Sequence, residues 1–222
     1  MAVQSPPIQA VRIHSGYQRA KRVLDIIITL LISPLILLVS GIIIICILLD
    51  SKGPILYRQK RVGQNGVVFE MLKFRSMHVD KGDTFHREAI QRFINGEALN
   101  DDSDNPYKLK NDPRITRVGR IIRKTSLDEL PQFWNVLHGQ MTLVGPRPPL
   151  PYEVELYGSY EWLRLAGKPG CTGLWQVYGR SKVNFQKMVE MDIAYLQHQS
   201  LWEDLKLIAL TVPVILRGRG GA

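Results

Sequence analysis

Two adjacent carboxylates, Asp128 and Glu129, follow a run of basic residues that recurs every three or four positions. On a helix this spacing places the cations on one face, so positive charge would lie directly before the acidic pair. The members of this cationic stripe are Arg114, Arg117, Arg120, Arg123 and Lys124. Positive charge beside paired carboxylates suits the handling of phosphate groups.

The acidic pair also has a purely structural interpretation. Ser126 followed by Glu129 three residues later forms the pattern of a helix capping box. Pro131 counts against it, because a proline inside the new helix removes a backbone hydrogen bond and pushes Leu130 away from helical angles. The pattern therefore predicts either a strained turn or a helix that begins later.

Two further arginines lie in rigid turns rich in proline and glycine. Arg147 follows Gly145-Pro146, and Arg180 follows Tyr178-Gly179. A guanidinium held in a rigid turn can bind phosphate oxygens in a bidentate manner. The 29 Lys and Arg against 20 Asp and Glu give a net charge of +9, which favours an anionic partner. Nucleic acid is disfavoured, because the basic residues lack interleaved aromatics for base stacking.

Residues 26–49 contain no charged side chain and are flanked by basic residues on both sides. A helix of this length could cross the ~30 Å hydrocarbon core of a bilayer. Pro34, however, should kink or break it near Ser33, and basic flanks prefer the cytoplasmic side. We therefore expect residues 23–50 to form a re-entrant helix-break-helix in one leaflet, with the Ser33 hydroxyl binding a freed backbone group. A mildly kinked transmembrane helix is the alternative.

The remaining chain predicts a basic arm at 1–22 and one membrane-associated domain at 51–222. Asn65-Gly66 between short strand-like runs predicts a β-hairpin. We expect its Lys73 and Arg75 to rest on phospholipid headgroups, with a solvated face as the alternative. We also expect a helix at 86–98, a loop at 99–113, and a helix at 200–216 that lies at the interface or in the core. The two cysteines cannot form a disulfide framework, which favours a reducing, cytoplasm-facing location.

Four segments of the chain, in this order and spacing, resemble the bacterial sugar transferase family of monotopic phosphoglycosyl transferases. They are KRVLDIIITLLISP, MLKFRSM, RKTSLDELPQFWNVLHGQMTLVGPRP and PGCTGLWQVYGRS, and the resemblance spans roughly residues 19–216. It implies a mixed α/β, mainly helical fold: a re-entrant membrane helix, a β-hairpin and amphipathic interfacial helices at the cytoplasmic face of the bacterial inner membrane. The implied activity moves a sugar-1-phosphate from a nucleoside diphosphate sugar, usually a UDP-sugar, to undecaprenyl phosphate.

The same resemblance implies roles for individual residues. Asp128 would be the nucleophile of a two-step transfer through a phosphoryl-aspartate, and Glu129 would hold Mg²⁺. Arg123 and Arg147 match family arginines that would bind phosphate, and Asp192 matches a late acidic position that would be a second metal ligand. The chain resembles the family's minimal form, since larger relatives carry additional transmembrane helices before the re-entrant segment.

One position departs from the family pattern. Many relatives have an acid where this chain has Gln140, in Gly139-Gln140-Met141-Thr142. If that acid placed a metal or an arginine through its charge, Gln140 could not do so. A catalytically inactive scaffold for glycan assembly is therefore the main alternative to the enzyme, with a membrane-tethered nucleic-acid binder the second.

Overall fold

The structure, a computed structural model, describes residues 15–78, 84–96, 114–179 and 183–216. Within these ranges the chain is mainly helical with two small sheets, which confirms the expected fold class. The helices are α1 Ser15–Asp50, α2 Thr84–Ile94, α3 Arg117–Lys124, α4 Gln132–Leu137, α5 Pro151–Val154, α6 Ser159–Trp162, α7 Leu174–Tyr178, α8 Phe185–His198 and α9 Leu201–Leu216. The strands are β1 Leu56–Val62, β2 Val68–Phe74, β3 Thr142–Val144 and β4 Gly170–Thr172. The expected loop at 99–113 lies outside the described residues.

Helix α1 begins at Ser15, so residues 15–22 of the expected arm are helical. It also continues through Pro34, which differs from the expected helix-break-helix. A proline lacks the N–H that would bind the carbonyl four residues earlier, here that of Leu30. The Ser33 hydroxyl donates to this carbonyl at 2.8 Å, which confirms the expected partner. Because the freed group is satisfied locally, the helix need not end at the proline.

Helix α1 packs on the rest of the protein near both of its ends. Near its start, Lys21, Asp25 and Thr29 are buried on one face, against α4, α9 and β3. Near its end, Ile43 and Ile47 are buried with Phe74 and Ile122, which belong to β2 and α3. Between these contacts the leucines are 56–77% exposed, at positions Leu30, Leu31, Leu35, Leu37 and Leu38. The helix is long and apolar enough to cross a membrane, yet both ends are attached to one body.

Strands β1 and β2 form the expected hairpin. They pair antiparallel, from Leu56 opposite Phe74 to Val62 opposite Val68. Asn65 and Gly66 in the connecting turn have φ of 55° and 78°, the left-handed conformation that an Asn-Gly pair favours.

The expectation that the hairpin rests its basic residues on headgroups is wrong. Arg75 is buried and donates to the Ser51 carbonyl at 2.6 Å, beyond the end of α1, where a cation complements the helix dipole. Lys73 is paired with Glu129. Both cations therefore act inside the protein.

Strands β3 and β4 form a short parallel pair that the sequence did not predict. Thr142 lies opposite Gly170, and Val144 lies opposite Thr172. Val144 belongs to a buried cluster that also contains Met71 of the hairpin, Leu196 of α8 and Leu207 of α9. Helix α9 thus packs in the core through one face, while Trp202 on another face is 76% exposed.

Candidate active site

Asp128 and Glu129 lie on a 3₁₀ turn, Leu127–Glu129, between α3 and α4. The turn is preceded by Ser126, whose φ of 57° lies in the left-handed region, and α4 begins only after Pro131. Both consequences expected from Pro131, a strained turn and a late helix start, are confirmed. The capping box does not form among the described residues, because the Ser126 side chain makes no capping hydrogen bond.

Glu129 forms an ion pair with Lys73 of strand β2. The Oε1 atom of Glu129 lies 2.7 Å from the Lys73 Nζ atom, and the side chains are 26% and 17% exposed. Asp128, the preceding residue, is 7% exposed and lies on the inner side of the same turn. The dyad therefore has one carboxylate that faces a cleft and one that is more buried.

Arg147 lies on the turn that leaves strand β3, and this turn is fastened to β4. Gly145 N–H donates to the Thr172 carbonyl at 2.8 Å, and Gly170 N–H donates to the Pro146 carbonyl at 2.9 Å. A Cβ atom on Gly170 would lie 2.1 Å from the Gly145 nitrogen, so this close approach requires glycine. The glycine-rich segments thus hold the arginine turn in place.

Arg61, near the end of strand β1, supports the same turn from the other side. Its Nη1 atom donates to the Pro148 carbonyl at 2.8 Å, and its Nε and Nη2 atoms donate to Gln59 Oε1 at 3.1 and 2.7 Å. Arg147 in turn lies 3.8 Å from the buried Glu153 carboxylate. Burial and the charge of Arg147 lower the pKa of Arg61 to about 10, so Arg61 is still a cation at neutral pH.

These groups meet at one cleft. Its polar wall has three cations and one carboxylate, namely Arg61, Lys73, Arg147 and Glu129. Its apolar wall comes from the hairpin, α7 and α9, through Met71, Val177, Val214 and Ile215. Cys171 also lines it, but burial raises the pKa of this thiol, so it is not a ready nucleophile. The cleft therefore has one wall with a net positive charge and one apolar wall.

The structure brings only some of the expected arginines to this cleft. Arg147 lines it, whereas Arg123, Arg114 and Arg117 are not among its described lining residues. Arg123 is half-buried at the end of α3, and Arg117 is exposed at its start. Arg180 lies outside the described residues.

Asp192 does not reach the cleft either. It is 1% exposed in α8, and its Oδ2 atom lies 2.6 Å from Arg164 Nη2, a guanidinium that is also 1% exposed. Burial raises the pKa of Asp192 to about 6, against the opposing effect of Arg164. Arg164 also donates to the Arg147 carbonyl at 3.4 Å. The placement corrects the expectation of a metal ligand: Asp192 supports the arginine turn from the protein interior.

Gln140 has a role that needs no charge. Its Oε1 atom accepts a hydrogen bond of 2.7 Å from the Asn135 side chain. The same amide group of Asn135 donates to the Glu70 carbonyl at 2.7 Å, and its Oδ1 atom accepts from Leu72 N–H at 3.0 Å. Asn135 thus fixes α4 against strand β2, and Gln140 orients Asn135 through an amide oxygen that accepts this hydrogen bond as a carboxylate oxygen would.

The residues present fit a magnesium ion that takes few protein ligands. No group of three or more His, Cys, Asp or Glu side chains that could hold a metal occurs among the described residues. Mg²⁺ is commonly held by one or two carboxylates together with substrate phosphates and water. Glu129 faces the cleft and supplies hard oxygen donors of this kind.

The sequence reasoning missed Lys73 and Arg61 as site residues. A signal for Lys73 was present, because the period of two along a strand places it on the same face as Met71. The same period places Arg61 and its hydrogen-bond partner Gln59 on one face of strand β1. What the sequence did not contain was the packing of this hairpin against the turn at Glu129.

Comparison with known proteins agrees with this architecture. The bacterial sugar transferase family matches residues 16–218, and the chain belongs to this family. It is 45% identical over 188 residues to "Galactosyl transferase CpsE" of Streptococcus agalactiae, covering 83% of this chain and 40% of that protein. It is 40% identical over 209 residues to "Exopolysaccharide production protein ExoY" of Rhizobium meliloti, covering 90% and 87%. It is 40% identical over 208 residues to "UDP-glucose:undecaprenyl-phosphate glucose-1-phosphate transferase" of Caulobacter vibrioides, covering 88% and 69%. The chain thus spans about two fifths of CpsE but most of ExoY.

Proposed function

We propose that the chain transfers a sugar-1-phosphate from a UDP-sugar to undecaprenyl phosphate and releases UMP, as a first membrane step in exopolysaccharide, capsule, O-antigen or glycan assembly. The observation that carries this proposal is the cleft beside the Asp128–Glu129 dyad. Its lining has a net positive charge, because it contains Arg61, Lys73 and Arg147 and only one carboxylate, that of Glu129. A sugar diphosphate carries negative charge that such a wall offsets, and the apolar wall suits a polyprenyl chain. The names of relatives in this family support the same substrates.

In the first step, an Asp128 carboxylate oxygen attacks the phosphorus that carries the sugar. A bond forms between this oxygen and phosphorus, and the bond from phosphorus to the bridging oxygen breaks, so that UMP leaves with the bridging oxygen. The sugar-1-phosphate is then attached to Asp128 as an acyl phosphate. Arg147 and Lys73 offset the repulsion between the attacking carboxylate and the anionic diphosphate.

In the second step, a phosphate oxygen of undecaprenyl phosphate attacks the phosphorus of the adduct. The acyl phosphate bond breaks, Asp128 returns to a carboxylate, and a polyprenyl diphosphate sugar is the product. Splitting the transfer in this way lets one cationic cleft serve two anionic substrates in turn. Ping-pong kinetics are the expected consequence.

Glu129 would hold Mg²⁺, which when bound supplies additional positive charge at the diphosphate. Lys73 now neutralises this carboxylate at 2.7 Å, so one cation is already paired with Glu129 before substrate binds. If Glu129 held a metal ion, the Lys73 ammonium would be available to a phosphate oxygen. Lys73 and a Mg²⁺ ion bound to Glu129 would thus lie close to each other in the cleft.

The membrane arrangement that fits these contacts is monotopic. The two ends of α1 pack on one body while the leucines between them are exposed, as a helix dipping into one leaflet from the cytoplasmic side requires. Helix α3 packs beside the end of α1, and its exposed Arg117, Arg120 and Lys124 surround Ile121, which is 64% exposed. These basic side chains suit anionic phospholipid headgroups.

The reaction is tested by incubating the membrane-bound protein with UDP-galactose and UDP-glucose, with and without undecaprenyl phosphate, and measuring UMP. With donor alone, mass spectrometry should find the sugar phosphate on Asp128 and one UMP per enzyme. Asp128→Asn should lose turnover by several orders of magnitude while staying folded. Glu190→Gln is the matched control, because Glu190 is an exposed acid of α8 that pairs with Lys187. Sequential kinetics or an active Asp128→Asn variant would point instead to direct transfer.

Topology is tested separately by cysteine labelling in intact cells. Gln18 and Lys52 are exposed residues at opposite ends of the apolar stretch. A membrane-impermeant reagent should label neither Gln18→Cys nor Lys52→Cys until the cells are opened. Labelling of either one in intact cells would show that α1 crosses the bilayer.

A further inference from the structure

The hydroxyl of Ser126 is a polar group at the cleft that the mechanism above leaves unused. Its Oγ atom is shielded from solvent and makes no hydrogen bond to any described residue. Ser126 nevertheless lines the cleft together with Lys73 and Glu129. A buried hydroxyl without a partner destabilises the folded state, so its presence here needs a reason.

The turn itself does not supply that reason. Its shape is held by the backbone, since Ser126 N–H donates to the Arg123 carbonyl at 3.4 Å and Glu129 N–H donates to the Ser126 carbonyl at 3.2 Å. The φ of 57° is also unfavourable for serine, whereas glycine would adopt it at no steric cost. The serine side chain therefore adds strain and an unsatisfied hydroxyl to a turn that does not need it. Strain of this kind persists mainly at functional sites.

We propose that Ser126 is a catalytic residue, whose hydroxyl donates a hydrogen bond to a non-bridging oxygen of the phosphorus that Asp128 attacks. This inference rests on the proposed function. A rotation about χ1 turns the hydroxyl from its buried position into the cleft without moving the backbone. Ser126 and Asp128 are two residues apart on one tight turn, and Ser126 lines the cleft together with Glu129, the neighbour of Asp128. A phosphoryl group bound to Asp128 at this cleft would therefore be within reach of the Ser126 hydroxyl.

The chemical role is to stabilise charge rather than to move a proton. As the Asp128 oxygen approaches phosphorus, negative charge stays on the non-bridging oxygens in a partly buried cleft. Once rotated into the cleft, the hydroxyl donor stabilises the transition state, and the serine keeps its proton throughout. The cations Arg61, Lys73 and Arg147 offset the overall charge, whereas the hydroxyl would recognise one particular oxygen.

The test compares Ser126→Gly and Ser126→Ala with the wild-type protein in the donor-only UMP burst. Glycine removes the hydroxyl and relieves the left-handed strain, so the unfolding temperature should not fall. Alanine removes the hydroxyl but keeps the left-handed strain and the restricted backbone. The alanine variant therefore reports on the hydroxyl even if glycine makes the turn more flexible. Both should lower the burst rate by about 100-fold, as the loss of one transition-state hydrogen bond does.

Asn65→Gly is the matched control. Asn65 is the other non-glycine residue with positive φ among the described residues, and it is exposed in the hairpin turn rather than at the cleft. Its replacement makes the same backbone change, and it should leave the burst rate unaltered.

A second readout separates a hydrogen bond from a merely structural role. The donor is a UDP-sugar with sulfur in place of one non-bridging oxygen on the sugar-bearing phosphorus, used as its two separate diastereomers. Sulfur accepts hydrogen bonds weakly, so the wild-type protein should discriminate between the diastereomers, and Ser126→Gly should reduce that discrimination. Equal burst rates for wild type and both variants, or unchanged discrimination in the slowed variants, would overturn the role of Ser126. A wild-type protein that released no UMP from any donor would instead refute the proposed function itself.

Discussion

Replacing Lys21 by methionine tests how the start of α1 is held to the protein. The Nζ atom of Lys21 lies 2.8 Å from Asp204 Oδ2, and these side chains are 11% and 1% exposed. Asp204 also accepts hydrogen bonds from the hydroxyls of Tyr17, at 2.8 Å, and Tyr195, at 2.5 Å. Burial and the charge of Asp204 raise the pKa of both tyrosines, so both remain donors at neutral pH. The methionine keeps the approximate length of the side chain and removes the ammonium group, with its charge and its hydrogen bonds to Asp204 and Tyr195.

The size of the effect follows from this burial. Removing one partner of a buried ion pair typically costs ~3–5 kcal/mol, because the other charge remains in a place of low dielectric. The two tyrosine hydroxyls still bind Asp204, which places the expected loss near the lower end, at about 3 kcal/mol. For a protein of this size that corresponds to a fall in unfolding temperature of ~6–12 °C.

The assay is thermal unfolding of the detergent-solubilised protein, followed by circular dichroism. Lys206→Met is the matched control, because Lys206 lies on the same α9 helix as Asp204 and pairs with Glu203 at 3.5 Å, with exposures of 48% and 28%. An exposed pair of this kind contributes little to stability, because solvent screens the charges. Asp204→Asn combined with Lys21→Met should recover part of the loss, since it removes the uncompensated carboxylate. If Lys21→Met cost no more than Lys206→Met, the argument from burial would be refuted.

Four further predictions follow from the site and its supports. Lys73→Met should lower the rate of UMP release by at least tenfold without a comparable loss of stability, and a rate equal to wild type in the UMP assay would remove Lys73 from the site. Glu129→Gln should lose most activity and its Mg²⁺ dependence, and a magnesium titration that matched wild type would contradict the metal assignment. Gln140→Glu should leave UMP release within about threefold of wild type, because either side chain can accept from Asn135; a complete loss would show that charge matters there. Burial raises the pKa of Asp192 from 3.8 to about 6, so its contribution to stability is present below pH 4 and lost as pH rises through 6. Asp192→Asn should remove this pH dependence of stability, measured by unfolding between pH 4 and 7.5. An unchanged pH profile in the variant would contradict the assignment of the dependence to Asp192.

Local patterns predicted the hairpin and the turn chemistry well. Asn65-Gly66 specifies a left-handed turn, and the position of Pro131 correctly indicated a strained turn before a late helix start. Ser33 was expected to satisfy a backbone group near Pro34, and it does. Each of these predictions depends on residues within four positions of one another, where covalent geometry restricts the alternatives.

The tertiary partners of charged residues could not be predicted in the same way. Lys21 and Arg22 belong to the basic flank that the sequence assigned to the cytoplasmic side, but their partners were not predicted: Lys21 pairs with Asp204, and Arg22 donates to the Leu137 carbonyl at the end of α4. Arg61 and Lys73 likewise face the cleft rather than a membrane surface. A charge in the sequence has the same identity whether it is solvated, paired or catalytic, and only the packing of distant elements decides among these.

The contacts at the start of α1 join this apolar helix to the turn that carries Arg147. Asp25 accepts hydrogen bonds from the Thr142 hydroxyl at 2.7 Å and from Leu143 N–H at 3.1 Å, both in strand β3. Burial raises the pKa of Asp25, and the charge of Lys21 and these two donors oppose that rise. Strand β3 continues directly into the turn that carries Arg147, and the last turns of α1 are packed against β2 and α3, which flank Lys73 and the dyad. In the proposed function α1 enters the bilayer, and both of its ends are connected to elements that carry the polar wall of the cleft. A lipid phosphate held at the headgroup level would then meet the adduct at a height fixed by the protein, so the second transfer step would not depend on chance encounter.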